Sequence, residues 1–173
     1  MIRVKMVGML RKGNVSPMSA DPLTLQFSSP SEPEALELID ELNKLLDELY
    51  HPDDNHFSLD VDEVTEGRGT FLLARLEGRA VGCGGVRLLD DGRAEVKRMY
   101  VRPRARGRGV GRRILASLED EARSRGATAL ILEMGGNQPE ARGLYTAFGM
   151  GPIPCWGEYI ATIDNSICLG KEL

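Results

Sequence analysis

The chain is poor in the residues that build metal centres. It has two histidines, His51 and His56, and three cysteines, Cys83, Cys155 and Cys168. Pro52 between the histidines rules out an i, i+4 ligand pair on one helix, and no CxxC pair is present, so no metal site is expected. An odd number of scattered cysteines fits thiols kept reduced in a cytoplasm. Positive charge is not in excess either. Lys and Arg number 22 against 26 Asp and Glu, a net charge of -4, and no basic stripe alternates with aromatics, so no nucleic-acid partner is expected. Long apolar runs are also missing. Residues 1–22 carry Arg3, Lys5, Arg11 and Lys12 with no acid before Asp21, yet Met6 to Leu10 is too short for a signal-peptide core or a membrane span. That segment reads as an N-terminal extension, and no membrane partner is expected. Repeats, low-complexity tracts and linkers are lacking, and 173 residues with 42% hydrophobic and 28% charged content suit one domain over residues 23–173.

What is present is an α/β pattern. Leu23 to Phe27 alternates as a short strand. Ser31 stands three residues before Glu34, a capping-box spacing, and Ala35, Leu38, Ile39, Leu42, Leu45, Leu46 and Leu49 recur on one helical face up to Tyr50. The segment Leu59 to Glu66 has the length of a short second helix. Thr70 to Leu76 and Ala80 to Leu88 form a hairpin about Glu77-Gly78-Arg79, and Asp90-Asp91-Gly92 turns the chain into a third antiparallel strand, Ala94 to Val101. Gly82, Gly84 and Gly85 fail the GxGxxG pattern and mark a bulge or a close backbone approach. From Val110 a helix turns Ile114, Leu115, Leu118 and Ala122 inward and Arg112, Arg113, Glu119, Asp120 and Arg123 outward, ending at Gly126. Ala129 to Met134 (ALILEM) reads as a buried strand parallel to its predecessor. Pro139 to Phe148 reads as a helix, and Ser166 to Leu173 as a last strand.

The chemistry concentrates in AEVKRMYVRPRARGRGVGRRIL, Ala94 to Leu115. A strand ends at Pro103, an Arg/Gly loop follows, and a helix begins. Such a junction grips anions. The first N–H groups of a helix lack intrahelical partners, the helix dipole adds positive charge, and Gly107, Gly109 and Gly111 admit a ligand to the bare main chain. Arg106-Gly107-Arg108-Gly109-Val110-Gly111 satisfies [Q/R]-x-x-G-x-[G/A] and is neither a Walker loop nor a dinucleotide fingerprint.

With these residues in place the chain resembles the GCN5-related N-acetyltransferase (GNAT) superfamily, of the bacterial small-molecule type. Three further features carry the resemblance: Glu95 upstream on the motif strand, the N-x-x-x-A-x-x-x-Y series of Asn137, Ala141 and Tyr145, and the Leu144-Tyr145 to Phe148-Gly149 closure. It implies a mixed, mostly antiparallel sheet of six to seven strands with helices on both faces, splayed between the fourth and fifth strands. It implies acetyl-CoA as cosubstrate, no metal, and direct transfer of acetyl to an amine, with a homodimer compatible. Carried over residue by residue, Met99, Tyr100 and Val101, with Arg106, Gly107, Arg108, Gly109, Val110, Gly111 and Arg112, bind the acyl-CoA, and Asn137 bonds its pantetheine arm. Tyr145 protonates the leaving thiolate, and Glu95 takes the amine proton.

The same residues admit plainer roles. Glu95 can pair with a neighbouring arginine, Tyr145 can be a packed aromatic, the arginines can be a solvated face, and Cys83 fits a small core residue. On the acceptor side, Tyr50, His51, Asn55, His56 and Phe57 after the first helix, and Trp156 and Tyr159 on a proline-stiffened loop, are candidates to shape a pocket for a small amine. A non-catalytic acyl-CoA-binding or regulatory module and a peptide or protein N-acetyltransferase are the alternative readings, and N- and O-acetylation are not separated.

Overall fold

The computed structural model describes residues 22–50, 64, 67–161 and 166–173. Its strands are β1 (Leu23–Ser28), β2 (Gly69–Leu76), β3 (Arg79–Leu88), β4 (Arg93–Val101), β5 (Ala129–Gly135), β6 (Gly151–Pro152) and β7 (Ser166–Glu172), and its α-helices are α1 (Pro33–Leu49), α2 (Val110–Ser124) and α3 (Pro139–Ala147). The strands make one seven-stranded sheet in the order β1-β2-β3-β4-β5-β7-β6. Only β4 and β5 pair in parallel, across the α2 crossover. The expected mixed, mostly antiparallel architecture is therefore observed. The helix expected over Leu59 to Glu66 lies outside the described residues apart from Val64, which is buried.

Local chemistry explains the path. Glu77 and Gly78 both take positive φ (52° and 79°), the pair of left-handed residues that joins two right-twisted strands in a tight hairpin. The glycines of β3 do two jobs. Register shifts between Cys83 and Gly85 opposite Lys97 and Tyr100, so Gly84 faces both Arg98 and Met99 across a bulge. A Cβ on Gly84 would lie 2.7 Å from Met99 Sδ and 2.9 Å from Ile114, and one on Gly82 would lie 2.8 Å from Tyr100 O and 3.1 Å from Ile114. The bare backbone of β3 thus lets α2 settle close on the sheet.

The two sheet faces carry separate cores. On one, Ala35, Leu38 and Leu42 of α1 pack with Phe71, Leu73, Cys83 and Tyr100. On the other, Val110, Ile114, Leu115, Leu118 and Ala122 of α2 pack with Leu72, Val86, Val96 and Leu130, and Tyr145 of α3 joins them. Each fully buried Leu or Ile there contributes about 1.5–3 kcal/mol by area.

Three expectations need correction. The capping box does not form: Glu32 is the N-cap of α1 with no side-chain capping bond, because Pro33 sets the first turn, and Glu34 instead pairs with Arg75 of β2. Glu119 does not face solvent; it is 9% exposed, bonded by Arg123 at 2.6 Å and by Lys171 of β7 at 3.0 Å. Two of the three cysteines are not free thiols, since Cys155 and Cys168 form a disulfide with Cα atoms 5.4 Å apart. Cys83 alone is free, fully buried as expected of a small core residue. No helix among the described residues is long and apolar enough to cross a membrane.

Candidate active site

The loop from β4 into α2 is a main-chain anion cradle. Pro103–Ala105 makes one 3₁₀ turn, closed by Arg106 N–H donating to Pro103 O at 3.2 Å. Gly107 and Gly109 then take φ of 72° and 77°, the left-handed region that favours glycine, and a Cβ on either would meet nothing within 4 Å. Gly109 is the N-cap of α2, and the helical ladder starts with Arg113 N–H on Gly109 O at 3.1 Å. The amides of Val110, Gly111 and Arg112 consequently have no helical acceptor. Open glycine flanks, free N–H donors and a helix dipole suit the pyrophosphate of a CoA group. The side chain of Val110 is buried, so only its amide serves there.

The arginines divide their work. Arg102 is structural: its guanidinium grips both oxygens of Glu41 on α1 at 2.7–3.0 Å and donates to Ala80 O at 2.8 Å. Arg106 turns back onto Val101 O at 3.0 Å, and Arg112 lies over the Phe148 ring, 5.7 Å from its centroid. Arg108 is exposed beside the cradle.

Pairing between β4 and β5 stops early. Arg93, Ala94 and Glu95 face Ala129, Leu130 and Ile131, and no pair forms beyond them. Val96–Val101 and Leu132–Gly135 therefore diverge, the splay expected of the fold, and its open end lies beside the start of α2. Met99 and Val101 point to the α2 face, while the Tyr100 side chain is buried on the opposite face against α1.

Tyr145 lies on α3 within the α2-side core, 7% exposed, and burial pushes its phenol well above the ordinary value of 10. It stays protonated, a hydrogen-bond donor, throughout the neutral range. Asn137 is not on the α3 face with Ala141 and Tyr145 as the i, i+4 spacing suggested; it precedes the N-cap Gln138. Its Nδ2 donates to Leu49 O at 3.1 Å and its N–H to the Tyr50 hydroxyl at 3.1 Å, while Gln138 Nε2 reaches the same hydroxyl at 3.2 Å. Tyr50 is thus joined to Asn137 at the end of the splay. His51, Asn55, His56 and Phe57 lie outside the described residues.

Glu95 sits on the α1 face of β4 and is fully buried. Arg87 Nε donates to its Oε2 at 2.7 Å, and its Oε1 accepts from the Tyr159 hydroxyl at 2.6 Å and from Lys97 Nζ at 3.1 Å. Lys97 Nζ also donates to the Tyr159 hydroxyl at 2.5 Å. Burial and the Glu95 charge push the Tyr159 phenol far above its ordinary value, so it remains a donor. Trp156 stacks edge-on to Tyr159 at 5.2 Å with Arg93 over its ring, and its Nε1 is buried without a partner among the described residues.

Sequence reasoning missed Glu133. It lies on β5 two residues past the last β4–β5 pair, within the ALILEM run that reads as a plain buried strand. Burial raises its carboxyl above the ordinary 4.5, against a hydrogen bond from Ser166 and the charge of Lys97 that lower it. An acid inside an otherwise apolar strand was the available signal. Among the described residues it forms no ion pair like those of Glu95 with Arg87 and Lys97.

Residues 36–150 match the family described as the acetyltransferase (GNAT) family. A protein of Azospirillum brasilense named an IAA acetyltransferase is 40% identical over 138 residues, 79% of this chain and 90% of the relative. A candidate acyl-CoA N-acyltransferase of Klebsiella pneumoniae superposes with a TM-score of 0.77 at 30% identity, covering 89% of this chain and 99% of that one. A GNAT-family acetyltransferase of Elizabethkingia anophelis, solved with acetyl-CoA bound, shares the fold at a TM-score of 0.63 and 17% identity, over 89% of this chain and 100% of that one.

Proposed function

The chain belongs to the acetyltransferase (GNAT) family and is an acetyl-CoA-dependent acyltransferase, and we propose that it acetylates the primary amine of a small metabolite by direct attack within a ternary complex. The observation that carries this reading is the coincidence of the β4–β5 splay with the bare amides at the start of α2. Acetyl-CoA supplies the activated acetyl thioester. In the reading, the Gly107 to Arg112 amides hold its pyrophosphate, the freed edge of β4 and Asn137 hold its arm, and the Met99 amide bonds the carbonyl oxygen. Tyr145, kept neutral by burial, donates its proton to the departing sulfur.

The amine enters from the α1 face. Glu95, bonded there by Arg87 and Lys97, orients the incoming amine, and Glu133 shares with it the removal of the proton. Tyr50 and Trp156 line the approach. Isothermal titration with acetyl-CoA, followed by product mass over a panel of amines and, separately, with IAA as a competing acceptor, tests the reading. Binding in the micromolar range and an N-acetyl product are expected. Failure to bind at high micromolar acetyl-CoA would refute the cradle, and a product acetylated only on oxygen would refute the amine.

A further inference from the structure

The disulfide stands on the acceptor side of the sheet. Cys168 is on β7 directly opposite Glu133 of β5, and Cys155 immediately precedes Trp156 and the 3₁₀ turn Gly157–Ile160 that carries Tyr159. One backbone bond, Ile153 N–H to Cys168 O at 3.0 Å, ties the chain just before the cysteine. Beyond it the turn is anchored through the buried Tyr159, whose ring meets Trp156 edge-on and lies under Lys97 Nζ. The Tyr159 hydroxyl is fixed between Lys97 and Glu95, Glu158 reaches Arg87 and Lys97 only at 3.6 and 3.7 Å, and Ile160 is 61% exposed. The covalent tether adds to these contacts in seating Tyr159.

We propose that Tyr159 is a positioning residue, which fixes Glu95 and Lys97 for the incoming amine, and that the Cys155–Cys168 disulfide seats it, so that thiol–disulfide exchange tunes acceptor turnover while leaving acetyl-CoA binding intact. The inference rests on the acceptor side assigned under the proposed function. Without the phenol, the Lys97 contact at 3.1 Å is the one left to Glu95 Oε1 among the described residues, and both side chains gain freedom. The acetyl-CoA cradle and Tyr145 belong to the α2 face, across the sheet from Glu95 and the Tyr159 hydroxyl bonded to it.

Cys155 is half-buried and Cys168 buried, so a reductant reaches the Cys155 sulfur first. A dithiol serves as reductant. Its thiolate attacks Cys155, the protein S–S bond breaks, and Cys168 leaves as a thiolate and takes up a proton. The second thiol of the reductant then displaces Cys155, leaving two protein thiols and one oxidised dithiol. Opening the cross-link returns the closed loop to its wider ensemble.

The test compares the air-oxidised full chain, the same chain reduced with dithiothreitol, Cys155→Ser, and Tyr159→Phe in both redox states. Intact mass reports the disulfide, titration calorimetry reports acetyl-CoA affinity, and product mass reports turnover of the amine. Trp156, the one tryptophan of the chain, reports the turn itself. Reduction and Tyr159→Phe are each expected to lower kcat/KM for the amine about tenfold and to change its pH profile, with effects that do not add, while acetyl-CoA affinity stays within about twofold. Trp156 emission should shift to the red on reduction. The inference is overturned if the oxidised protein lacks the disulfide, if both redox states turn over alike, if the effects of reduction and Tyr159→Phe add, or if acetyl-CoA affinity falls in parallel. Should no amine be acetylated, the proposed function fails on its own. Trp156 emission and hydrogen exchange over the turn then still decide the tether, and it is overturned if reduction moves neither.

Discussion

Replacing Gly135 by alanine isolates the contact that joins α1 to the end of β5. Gly135 has no positive φ, so alanine fits its backbone and any cost must come from space. A Cβ there would overlap Oη and Cζ of Tyr50 and stand 2.7 Å from its Cε1. Those atoms belong to one rigid ring, which no rotation of the hydroxyl can relieve, so Tyr50 must leave its place. Its hydroxyl then stops accepting from Asn137 N–H and Gln138 Nε2. Two neutral hydrogen bonds contribute about 2 kcal/mol, and displaced packing adds about 1 kcal/mol, against which alanine restricts the unfolded chain by about 0.5 kcal/mol.

A net loss of about 2.5 kcal/mol is therefore expected, read as a melting point lower by about 5–10 °C for a chain of this size. Acetyl-CoA affinity should weaken alongside it, because the Asn137 turn loses its support. Urea unfolding of Gly135→Ala, Tyr50→Ala and the double variant measures the coupling. With Tyr50 already removed, Gly135→Ala should cost nothing or stabilise slightly. An equal cost in both backgrounds, or a more stable single variant, would show that Tyr50 does not occupy the space over Gly135.

The other predictions concern the site directly. Tyr145→Phe should lower kcat about tenfold to hundredfold while leaving the acetyl-CoA dissociation constant nearly unchanged, which rapid quench with titration calorimetry resolves; an unchanged kcat removes the acid role. Gly109→Val should abolish acetyl-CoA binding, because the side chain enters the open flank of the cradle and φ of 77° disfavours it; calorimetric titration reads the loss directly. Glu133 must be ionised to accept a proton, so kcat/KM should be retained above its folded pKa and fall as pH drops through it. Burial places that acid limb above 4.5, and Glu133→Gln should remove it, whereas Glu95→Gln should remove it only if Glu95 is the base. The Cys83 thiol, pushed up to about 12 by burial, should resist iodoacetamide in the native protein at pH 8 and react once urea unfolds it; native labelling followed by mass spectrometry would contradict its burial.

Sequence alone was most informative where structure follows from neighbouring residues. The β4 strand, its Arg/Gly loop and the α2 stripe of Val110, Ile114, Leu115 and Leu118 are local patterns, and the structure shows them at the same bounds within a residue or two. Gly82 and Gly84 were legible as a bulge and a close approach for the same reason, although their partner Ile114 was not. Failures occur where a partner comes from elsewhere. Ser31 and Glu34 have capping-box spacing, but Pro33 and Arg75 give both better occupations. Glu119 occupies an outward helical position until β7 brings Lys171 over it. Cys155 and Cys168 are separated by the very loop whose return through β6 and β7 joins them.

The same division separates the two halves of the proposed reaction. A phosphate cradle is made of main-chain amides, and a main chain can be aimed by nothing more than glycines and the start of a helix, so Arg106 to Gly111 announces it in a short stretch. Recognition of an amine uses side chains, and in the proposed reaction they come from Arg87 of β3, Glu95 and Lys97 of β4, Glu133 of β5 and Tyr159 of the turn before β7. Of these five, Arg87, Glu95 and Lys97 are strand charges, Glu133 sits in an apolar run, and Tyr159 gains its meaning only from the buried carboxylate it touches. Because the cluster is assembled by sheet order and held by one cross-link, changes that leave the α2 cradle untouched can redirect which amine is taken. Selectivity in this chain should therefore respond to substitutions on the α1 face, and cosubstrate affinity to those at the α2 start, with little exchange between the two.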